Sequence, residues 1–564
     1  MNTRSKTAPA KATTAKAAPR KAAATKTTKA TTTKASTTTT KSTKSATATT
    51  KRTTKAKVAL ATKTNEPEQS ETEEETAAAS PKPTRRKKVV EDLPPFNPLP
   101  TLPAHTRPPL QLFIFGNGDS GQFGLGTDAA MMGEFARPRL HTWFDEAIKE
   151  GKLGEEGAGV ESVAAGGMHT LVIDEAGKVW SWGVNDEGSL GRPVIDVPNP
   201  EKPEEMMDRE ELECNPMVID TLVEEDFRAA AVSAGDNISV MLSEDGTVWA
   251  CGSFRADEGS LGFSAGPNGT RVQVTPTALT FERSTRISSI AAGDNHAIAL
   301  TTDGRVYAWG ADQQGQLGRR VPVRRKLNGT TPERLRLRRI ELIGTGASHS
   351  FAVRNDGKVY GWGLNSMGQL GLGDQRVKDQ IDGVVWAPTV IKALLPEELG
   401  GATVKQIAGG EHHTLFLLSD GRVFGCGRVD SSQLGLGPDH PAMSTPTAKE
   451  DGYIATPTLI SFPPPPAADE PAPPIPPLPA PLNPMKYIST SGRFSLAVSE
   501  SGHVYSWGYG ASCQLGLGAD TEEAPVPERV RWKNSDHWIV ERAEAGGQHC
   551  ILLVRKKEVL TNGA

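Results

Sequence analysis

Short apolar runs, each bounded by polar turn residues, recur along the chain from about residue 110 onwards. Residues 296–300 and 305–309 are two such runs, rich in β-branched and aromatic side chains, and Asp303-Gly304 lies between them. The same Asp-Gly pair separates apolar runs at 245–246, 356–357 and 420–421. A tight hairpin needs a positive φ at this place, so the pattern predicts antiparallel β-hairpins. No long amphipathic helix is predicted between them, which excludes βαβ folds.

The hairpins belong to a longer repeat that starts near a Gly-rich pair and closes in a glycine. The closing glycines of six units are Gly183, Gly252, Gly310, Gly363, Gly427 and Gly508. The residue 14 positions before each of them is, in the same order, His169, Ile238, His296, His349, His413 and Phe494. Repeats at spacings of roughly 50–80 residues indicate a solenoid, a propeller or an array.

The two ends of the repeat region complement each other. Residues 112–126 contain only the closing half of a unit, and residues 545–554 contain only the opening half. Pairing these two halves closes a ring and removes exposed sheet edges. With the six internal units, the sequence predicts an all-β fold over residues 110–555: a seven-bladed β-propeller in which N- and C-terminal strands share one blade.

Charge is divided unevenly along the chain, although the formal total is only −4. Residues 1–90 hold 21 Lys and Arg against 6 Asp and Glu, a net charge of +15, and residues 91–564 have a net charge of −19. Residues 1–64 consist almost entirely of Lys, Thr, Ala and Ser, which bury too little apolar surface to fold. We therefore expect a disordered basic tail over 1–90, a linker over 91–109 and a short C-terminal tail over 556–564.

The tail indicates two kinds of partner. A basic cluster that follows prolines is typical of a nuclear import signal and predicts an import receptor as a partner. The cluster consists of Arg85, Arg86, Lys87 and Lys88. A solvated run of charge without a receptor has the same composition. A Lys-rich, acid-free arm also contacts DNA phosphates without reading bases, so we expect a nuclear protein that binds DNA non-specifically.

Composition excludes several other classes of protein. No run approaches 18 apolar residues, so neither a membrane-spanning helix nor a membrane partner is predicted. The five Cys are widely spaced and form no CxxC pair, which excludes a disulfide framework and a zinc site. A Walker-type Gly-Lys-Ser/Thr motif is absent from the sequence, so the chain itself is not expected to bind GTP. Neither a cofactor nor a metal ion is predicted.

Two stretches interrupt the repeats. Residues 195–226 are acid-rich, and residues 438–486 form a Pro-rich insertion with twelve prolines between Pro463 and Pro484. The Pro-rich stretch is expected to be an extended, polyproline-like loop between late blades, because proline removes the donors that a strand needs. A ligand for an aromatic groove is the alternative interpretation of this stretch.

The repeat, with Gly-Gly-x-His-Thr near its start and Gln-Leu-Gly-x-Gly after its closing Trp-Gly, resembles the regulator of chromosome condensation family. The resemblance covers about residues 110–555 and implies a seven-bladed propeller. Matches in individual blades are similar to those members that exchange guanine nucleotide on the small GTPase Ran. The matching stretches are residues 184–192, 252–262 and 409–414.

This resemblance implies that one face of the propeller binds Ran and that a short hairpin of the third blade acts as a wedge. The wedge residues are Phe254, Arg255, Ala256, Asp257, Glu258, Gly259, Ser260 and Leu261. The implied residues for Ran binding and exchange are Asp119, Asp236, Asp294, Asn295, His412, His413, His169 and His549. Core histones on the opposite face are implied as further partners.

Two observations limit the transfer of these roles. The family has Asn-Asp where this chain has Asp294-Asn295, so the acidic residue has moved by one position. In the third blade Ile238 replaces the repeated histidine, so a loop histidine is not needed in every blade. A Gly-Gly-x-His motif that recurs in several blades is also compatible with a hydrogen-bonded brace between strands. Spread one per blade, these residues do not converge on a metal ion.

The leading hypothesis is a nuclear, chromatin-tethered exchange factor for Ran that supports nucleocytoplasmic transport and the cell cycle. Exchange needs no bond-making group, so no enzyme chemistry is predicted. The alternative hypothesis is a propeller scaffold that binds chromatin or another protein without exchange activity.

Overall fold

The computed structural model describes residues 96–101, 105, 107–128, 130–265, 269–378, 382–464 and 483–557. The chain divides into two compact units, residues 1–88 and 89–564, and all described residues belong to the second. The expected basic tail, its import cluster at residues 85–88 and most of the expected C-terminal tail lie outside the described residues.

The described part of the chain contains thirty β-strands, which follow the predicted alternation of apolar runs and turns. In chain order, the first strands are β1 (Gln111–Asn117), β2 (Glu134–Leu140), β3 (Val160–Ala165), β4 (His169–Asp174), β5 (Val179–Gly183), β6 (Met217–Val218), β7 (Ala229–Ala234), β8 (Ile238–Ser243) and β9 (Val248–Gly252). A separate hairpin consists of β10 (Phe254–Ala256) and β11 (Gly259–Gly262). The next strands are β12 (Gln273–Ala278), β13 (Ile287–Ala292), β14 (His296–Thr301), β15 (Val306–Gly310), β16 (Glu333–Arg334), β17 (Ile340–Thr345), β18 (His349–Arg354), β19 (Val359–Leu364) and β20 (Val384–Val390). The last strands are β21 (Val404–Gly409), β22 (His413–Leu418), β23 (Val423–Arg428), β24 (Tyr453–Ile460), β25 (Met485–Ser491), β26 (Phe494–Ser499), β27 (Val504–Tyr509), β28 (Glu523–Arg529), β29 (Trp538–Ala545) and β30 (His549–Lys556).

All strands except the separate hairpin form seven four-stranded antiparallel sheets, numbered here as blades 1 to 7. From the inner to the outer strand, blade 1 is β29, β30, β1, β2; blade 2 is β3 to β6; blade 3 is β7, β8, β9, β12; blade 4 is β13 to β16; blade 5 is β17 to β20; blade 6 is β21 to β24; and blade 7 is β25 to β28. The first strand of each blade contacts the first strands of both neighbouring blades, and these seven strands form a closed ring. The predicted seven-bladed propeller is thereby confirmed.

Blade 1 is shared by the two ends of the propeller, as the sequence predicts. β1 pairs with β30 along its whole length, from Gln111 opposite Val554 to Gly116 opposite His549. This antiparallel pairing gives β1 and β30 a neighbour on both sides, so neither is left as an unpaired edge.

Large aromatic side chains fill the space between blades. Trp182, Trp362 and Trp507 are fully buried near the ends of their strands. Each indole Nε1 donates a 2.9 Å hydrogen bond to a main-chain carbonyl of the preceding blade, at Gln122, Gln316 and Gln433 respectively. A buried tryptophan thus contributes both apolar contact and a satisfied donor to each of these interfaces.

Helices in the described residues are short and connect strands. The α-helices are α1 (Thr142–Lys149), α2 (Arg209–Cys214), α3 (Asp220–Glu224) and α4 (Asp374–Lys378). Single turns of 3₁₀-helix occur at Asp186–Gly188, Lys392–Leu394, Pro441–Ser444 and Ser535–His537, and a longer one spans Val323–Thr330. Residues Thr447–Asp451 form a short π-helix. None of the helices in the described residues has the length and apolar character needed to cross a membrane.

The propeller has two different faces. Successive strands of a blade run in opposite directions, so the loops after the first and third strands lie on one face, called here the loop face. The turns after the second strand and the connections between blades lie on the opposite face, called here the hairpin face. The predicted Asp-Gly turns lie on the hairpin face. Their glycines, Gly246, Gly304, Gly357 and Gly421, have φ between 76° and 83°, as a tight hairpin requires.

Both expected insertions differ from the prediction, because each contains a strand that completes a blade. Residues 195–226 include α2, α3 and β6, and β6 pairs with β5 at Trp180 and Ser181. Residues 438–486 are not one loop, because β24 lies within them and forms the outer strand of blade 6. β24 ends and β25 begins on the hairpin face, and residues 465–482 of the Pro-rich part between them lie outside the described residues.

The expected linker over 91–109 is packed against the hairpin face where it is described. Asn97 is 6% exposed, and its side-chain amide donates to the carbonyls of Thr301 (3.0 Å) and Ile340 (2.9 Å). Further along, Arg107 donates to the buried carboxylate of Glu175 at 2.7 Å. Asn97 and Arg107, within the expected linker, therefore bind the hairpin face of the propeller.

Candidate functional site

The propeller topology brings the predicted site residues to one face. Asp236, Asn295 and His412 lie in loops between first and second strands, and Asp119 lies in the loop between β1 and β2. The predicted wedge is the β10–β11 hairpin, which leaves the third strand of blade 3. Both kinds of loop emerge on the loop face, so residues from four blades share one surface there.

Main-chain hydrogen bonds join the loops between first and second strands, from blade 1 round the ring of blades to blade 7. Each bond joins two neighbouring blades: Gly547 N to Gly166 O (3.0 Å), Gly167 N to Gly235 O (3.1 Å), Asp236 N to Asp294 O (2.9 Å), Asp294 N to Ala347 O (3.2 Å), Ala347 N to Gly410 O (3.1 Å) and Glu411 N to Gly492 O (3.0 Å). Side chains on these loops therefore start from backbone positions that both neighbours restrict.

Close approach between these loops explains the glycines of the repeated motif. A Cβ atom on Gly293 would lie 2.3 Å from the carbonyl oxygen of Gly346, and one on Gly235 would lie 2.4 Å from that of Gly293. Real Cβ atoms do not approach oxygen so closely, so these positions accept only glycine. The Gly-rich start of the repeat is a packing requirement at the centre of the loop face.

Acidic side chains project from these loops. Removal from bulk water, together with the charges of Asp236 and Glu411, raises the pKa of Asp294 to about 6. Partial burial also raises the pKa of Asp236, against the opposing effect of Arg255. These three acids, Asp236, Asp294 and Glu411, are called here the loop-face acids. Because the charges of Asp236 and Glu411 both act on Asp294, the three acids form one electrostatic group rather than three isolated charges.

Sequence reasoning missed Glu411. It occupies the same place in its loop as Asp236 and Asp294 do in theirs, directly after a glycine and two residues before the repeated histidine or its replacement. That alignment was sufficient to identify it. Its carboxylate lies 3.5 Å from His412 Nδ1 and 3.7 Å from Arg493 Nε, and His412 lowers the pKa of Glu411. Glu411 therefore remains ionised beside the predicted His412.

The wedge has a buried base and an exposed tip. Phe254 is 1% exposed and lies in the apolar core of blades 3 and 4, whereas Asp257 and Glu258 at the tip are exposed. Gly259 has φ 114°, which permits the tight reversal between the two strands. The predicted hairpin is thus present as a short, anchored ribbon on the loop face.

Five repeated histidines are buried inside the blades, where each bonds to a hydroxyl group of the next blade. The Nε2-to-hydroxyl pairs are His169–Ser239 (2.9 Å), His296–Ser350 (2.7 Å), His349–Thr414 (2.8 Å), His413–Ser495 (3.0 Å) and His549–Thr170 (2.8 Å). Burial lowers the pKa of His169 to about 4 and that of the other four to about 3, so the rings are neutral. The rings of His169, His413 and His549 are thus not presented on the loop face, and the expectation of direct partner contact needs correction for these three.

The two blades without the histidine also lack the hydroxyl group. Ile238 replaces the histidine of blade 3, and the facing position in blade 4 is Ala297; Phe494 replaces that of blade 7, and the facing position in blade 1 is Cys550. A buried polar atom without a partner is costly, so both members of a pair are polar or both are apolar. This pairing assigns the buried histidines to bracing between blades.

One cluster in the described residues has side chains close enough together to hold a metal ion, and it lies on the hairpin face. It consists of His105, Glu161 and Glu175. His105 Nδ1 lies 3.2 Å from Glu161 and 3.1 Å from Glu175, and Arg107 also binds Glu175. Arg107 already neutralises Glu175, and His105 lies within hydrogen-bond distance of both carboxylates, so we interpret the cluster as a clasp that holds His105 and Arg107 to blade 2.

A basic ridge, defined as residues 334–339, lies at the outer edge of blade 4. Leu335 and Leu337 are buried, and Arg336, Arg338 and Arg339 between and after them are exposed. Grooves of about 670 and 840 Å³ run along the ridge. No ion pair neutralises these three arginines within the described part of the chain, although the body as a whole is acidic.

Comparison with known proteins agrees with this architecture. The family described as RCC1-like domain matches residues 111–552. Protein pim1 of Schizosaccharomyces pombe is 36% identical, covering 81% of this chain and 76% of that protein. Guanine nucleotide exchange factor SRM1 of Saccharomyces cerevisiae is 34% identical, covering 78% and 87% respectively.

Two solved structures of the yeast relative Prp20 are similar in fold. The crystal structure of Prp20p from Saccharomyces cerevisiae, described together with its binding to Gsp1p and histones, has a TM-score of 0.67 and 31% identity, covering 80% of this chain and 93% of that one. The structure of Kap60 bound to yeast RCC1 (Prp20) has a TM-score of 0.66 and 32% identity, covering 80% and 90%. The propeller, its repeats and these matches together establish that the chain belongs to the regulator of chromosome condensation family of RCC1-like domain proteins.

Proposed function

We propose that the protein is a guanine-nucleotide exchange factor for the small GTPase Ran and that the loop face is its binding surface. The observation that carries the proposal is the anchored wedge beside the loop-face acids, in a chain 34% identical to a protein named as an exchange factor. SRM1 is named for exchange activity, and yeast Prp20p is described as binding Gsp1p. The name of SRM1 supports exchange activity for this chain, and the described binding of Gsp1p by Prp20p is consistent with it.

The physical basis of exchange is linkage between two binding events. A protein that binds the nucleotide-free GTPase more tightly than the loaded form weakens nucleotide binding by the same factor. Each tenfold weakening requires about 1.4 kcal/mol of differential binding. No bond is made or broken in the protein, so neither a nucleophile nor a cofactor is needed.

The loop face supplies the two elements that such a partner needs. The loop-face acids attract basic groups of the GTPase over about a Debye length, roughly 8–10 Å at physiological salt. The wedge presents an exposed tip, Asp257 and Glu258, on a base fixed by the buried Phe254. A hairpin fixed at its base can hold open the nucleotide-binding region of the GTPase, which a mobile loop would leave closed.

We further propose that chromatin and import receptors are bound outside the loop face. The basic ridge offers exposed arginines to phosphate or to acidic protein surfaces, and the basic tail offers 21 Lys and Arg. Yeast Prp20 is described as binding histones and has been crystallised with Kap60, which supports the same classes of partner here. Such a tether would place exchange at chromosomes in the nucleus.

The test is the rate of nucleotide release from Ran loaded with fluorescent GDP, measured with and without the full chain. We expect a catalytic amount of the protein to accelerate release at least a hundredfold in the presence of excess free nucleotide. A rate equal to the spontaneous one would overturn the proposal and favour the alternative, a propeller scaffold without exchange activity.

A further inference from the structure

We infer that Asn295 is a positioning residue that fixes the wedge by accepting a hydrogen bond from the main chain of Arg255. The side-chain oxygen Oδ1 of Asn295 lies 2.7 Å from the backbone nitrogen of Arg255. Asn295 belongs to blade 4 and Arg255 to the wedge of blade 3, so this bond crosses a blade interface. The inference rests on the proposed exchange function, which it deepens by naming what holds the wedge.

Asn295 is itself held in place. Its carbonyl oxygen accepts a 2.8 Å hydrogen bond from the backbone nitrogen of Ala311, directly after β15. The preceding residue, Asp294, takes part in the main-chain bonds between blades in both directions. The acceptor for Arg255 therefore projects from a backbone that the propeller fixes on several sides.

The wedge begins directly at this bond. Phe254 precedes Arg255 and is buried against β15, where a Cβ on Gly310 would lie 3.1 Å from its ring. Beyond Arg255, the exposed fraction increases towards Asp257 and Glu258 at the tip. The Asn295 bond thus lies at the boundary between the buried base and the exposed part, where it sets the direction in which the hairpin leaves the blade.

Two ion pairs reach the wedge from the sides. Arg255 Nε lies 3.6 Å from Glu187 of blade 2, and Glu258 pairs with Lys326 in the 3₁₀-helix of blade 4. The side chains of Glu258 and Lys326 are 67% and 47% exposed, and exposed ion pairs contribute little because water and salt screen them. Among these polar contacts, most of the restraint on the wedge is therefore expected from Asn295, and the Lys326 pair provides a matched control.

The required chemistry at position 295 is an acceptor rather than a charge. A backbone N–H needs a side-chain oxygen, which the carboxylate of aspartate offers as well as the amide of asparagine. The exchange of Asp and Asn between positions 294 and 295 therefore preserves this acceptor. A residue that contacts Ran through its charge would respond differently, because Asn295→Asp changes the charge and keeps the bond.

The test combines hydrogen exchange with nucleotide release for the full chain and its variants Asn295→Ala, Asn295→Asp and Lys326→Ala. We expect deuterium uptake at residues 253–262 to be at least ten times faster in Asn295→Ala and unchanged in Asn295→Asp and Lys326→Ala. With Ran as substrate, we expect kcat to fall at least tenfold in Asn295→Ala with KM within threefold, and the other two variants to remain within threefold of the unmodified chain.

Peptides from blades 5 to 7 serve as the folding control, and Asn295→Leu replaces the alanine variant if that variant does not fold. The inference is overturned if deuterium uptake at residues 253–262 is unchanged in the variant without a side-chain acceptor at position 295. It is also overturned if uptake is faster in that variant and nucleotide release from Ran remains normal. A defect in Asn295→Asp equal to that in Asn295→Ala also overturns it. If the unmodified chain fails to accelerate release, the proposed function fails, and the hydrogen-exchange comparison still decides whether Asn295 fixes the hairpin.

Discussion

The Nε2 atom of His413 lies 3.0 Å from the hydroxyl oxygen of Ser495, and this hydrogen bond joins blade 6 to blade 7 inside the ring. Both residues are fully buried. The equivalent positions in blades 3 and 4 are Ile238 and Ala297, which make an apolar contact instead. Blades 3 and 4 therefore show that two apolar residues can replace the hydrogen-bonded pair when both partners are absent.

Removing both partners of the His413–Ser495 pair should destabilise the protein less than the sum of the two single removals. His413→Ile or Ser495→Ala leaves a buried polar group unpaired, at a cost of about 1–3 kcal/mol. The double variant reproduces the Ile238–Ala297 pair and should recover about 1 kcal/mol relative to the sum of the single effects. Urea unfolding of the four proteins measures this coupling, and strictly additive effects would contradict the brace.

Stability should fall as the pH decreases from 6.5 towards 4. The buried histidines have pKa values near 3 or 4 in the folded protein, whereas an unfolded histidine has a pKa of about 6.5. Below pH 6.5 the unfolded chain therefore binds protons that the folded chain does not, and unfolding becomes more favourable. Each such histidine contributes a slope of about 1.4 kcal/mol per pH unit in this window.

Partly buried acids act in the opposite direction and must be separated from this effect. The pKa of Glu544 is raised to about 7 and that of Asp312 to about 6 by burial, so the folded protein gains protons there as the pH falls. The His413→Ile and Ser495→Ala double variant removes one histidine and leaves these acids in place. As the pH falls, its free energy of unfolding should decrease less steeply than that of the unmodified chain. The two slopes should differ by about 1.4 kcal/mol per pH unit. Parallel pH profiles would argue against the assignment.

Asp236→Asn should slow the release of GDP from Ran by about tenfold or more. The substitution keeps the shape of a loop-face acid and removes its charge, so it weakens attraction for a basic partner without opening a cavity. Glu244→Gln is the matched control, because Glu244 is an exposed acid of the same blade on the hairpin face. Equal release rates for both variants would exclude Asp236 from the binding surface.

Arg107→Ala should lower stability and leave nucleotide exchange unchanged. The Glu175 carboxylate is buried, and loss of its arginine partner is expected to cost about 1–3 kcal/mol. The clasp lies on the hairpin face, away from the loop-face acids. Thermal unfolding and the release rate are measured on the same sample; a slower release at a temperature where the variant is folded would show that the two faces are coupled.

Deleting residues 1–90 should weaken DNA binding and flatten its dependence on salt. Each phosphate contact contributes about −0.9 to the slope of log K against log salt. The deleted segment carries 21 Lys and Arg. Fluorescence anisotropy with duplex DNA between about 50 and 200 mM salt measures the slope. An unchanged affinity and slope would assign DNA binding to the propeller body, and the basic ridge would then be the first region to test.

Periodic features of the fold were predictable from the sequence, and individual contacts were not. The Asp-Gly turns, the seven blades and the shared blade 1 all depend on spacing along the chain, which the sequence displays directly. The depth at which a side chain lies depends on which neighbour faces it. His413 and His412 are adjacent in sequence, yet only His413 points into the interface between blades, where it is hydrogen-bonded to the hydroxyl group of Ser495.

Insertions were harder to predict than repeats, because their strands are short or irregular. β6 has only two residues. It pairs with β5 although a long connection that contains α2 separates the two strands in sequence. Asn97 gave no sequence signal either, since its importance derives from two carbonyl groups more than 200 positions away. Contacts of this kind become visible only once the blades are assembled.

The shared blade also has a consequence for biosynthesis. β1 is translated roughly 430 residues before β30, the strand that pairs with it. At about 5–20 residues per second, the ribosome needs on the order of 20–90 s to supply that partner. During this interval β1 has an open edge on which a foreign strand can pair. The nascent chain thus depends on protection from aggregation until its last strand emerges, and a stop codon a few codons before residue 549 would leave the edge permanently open.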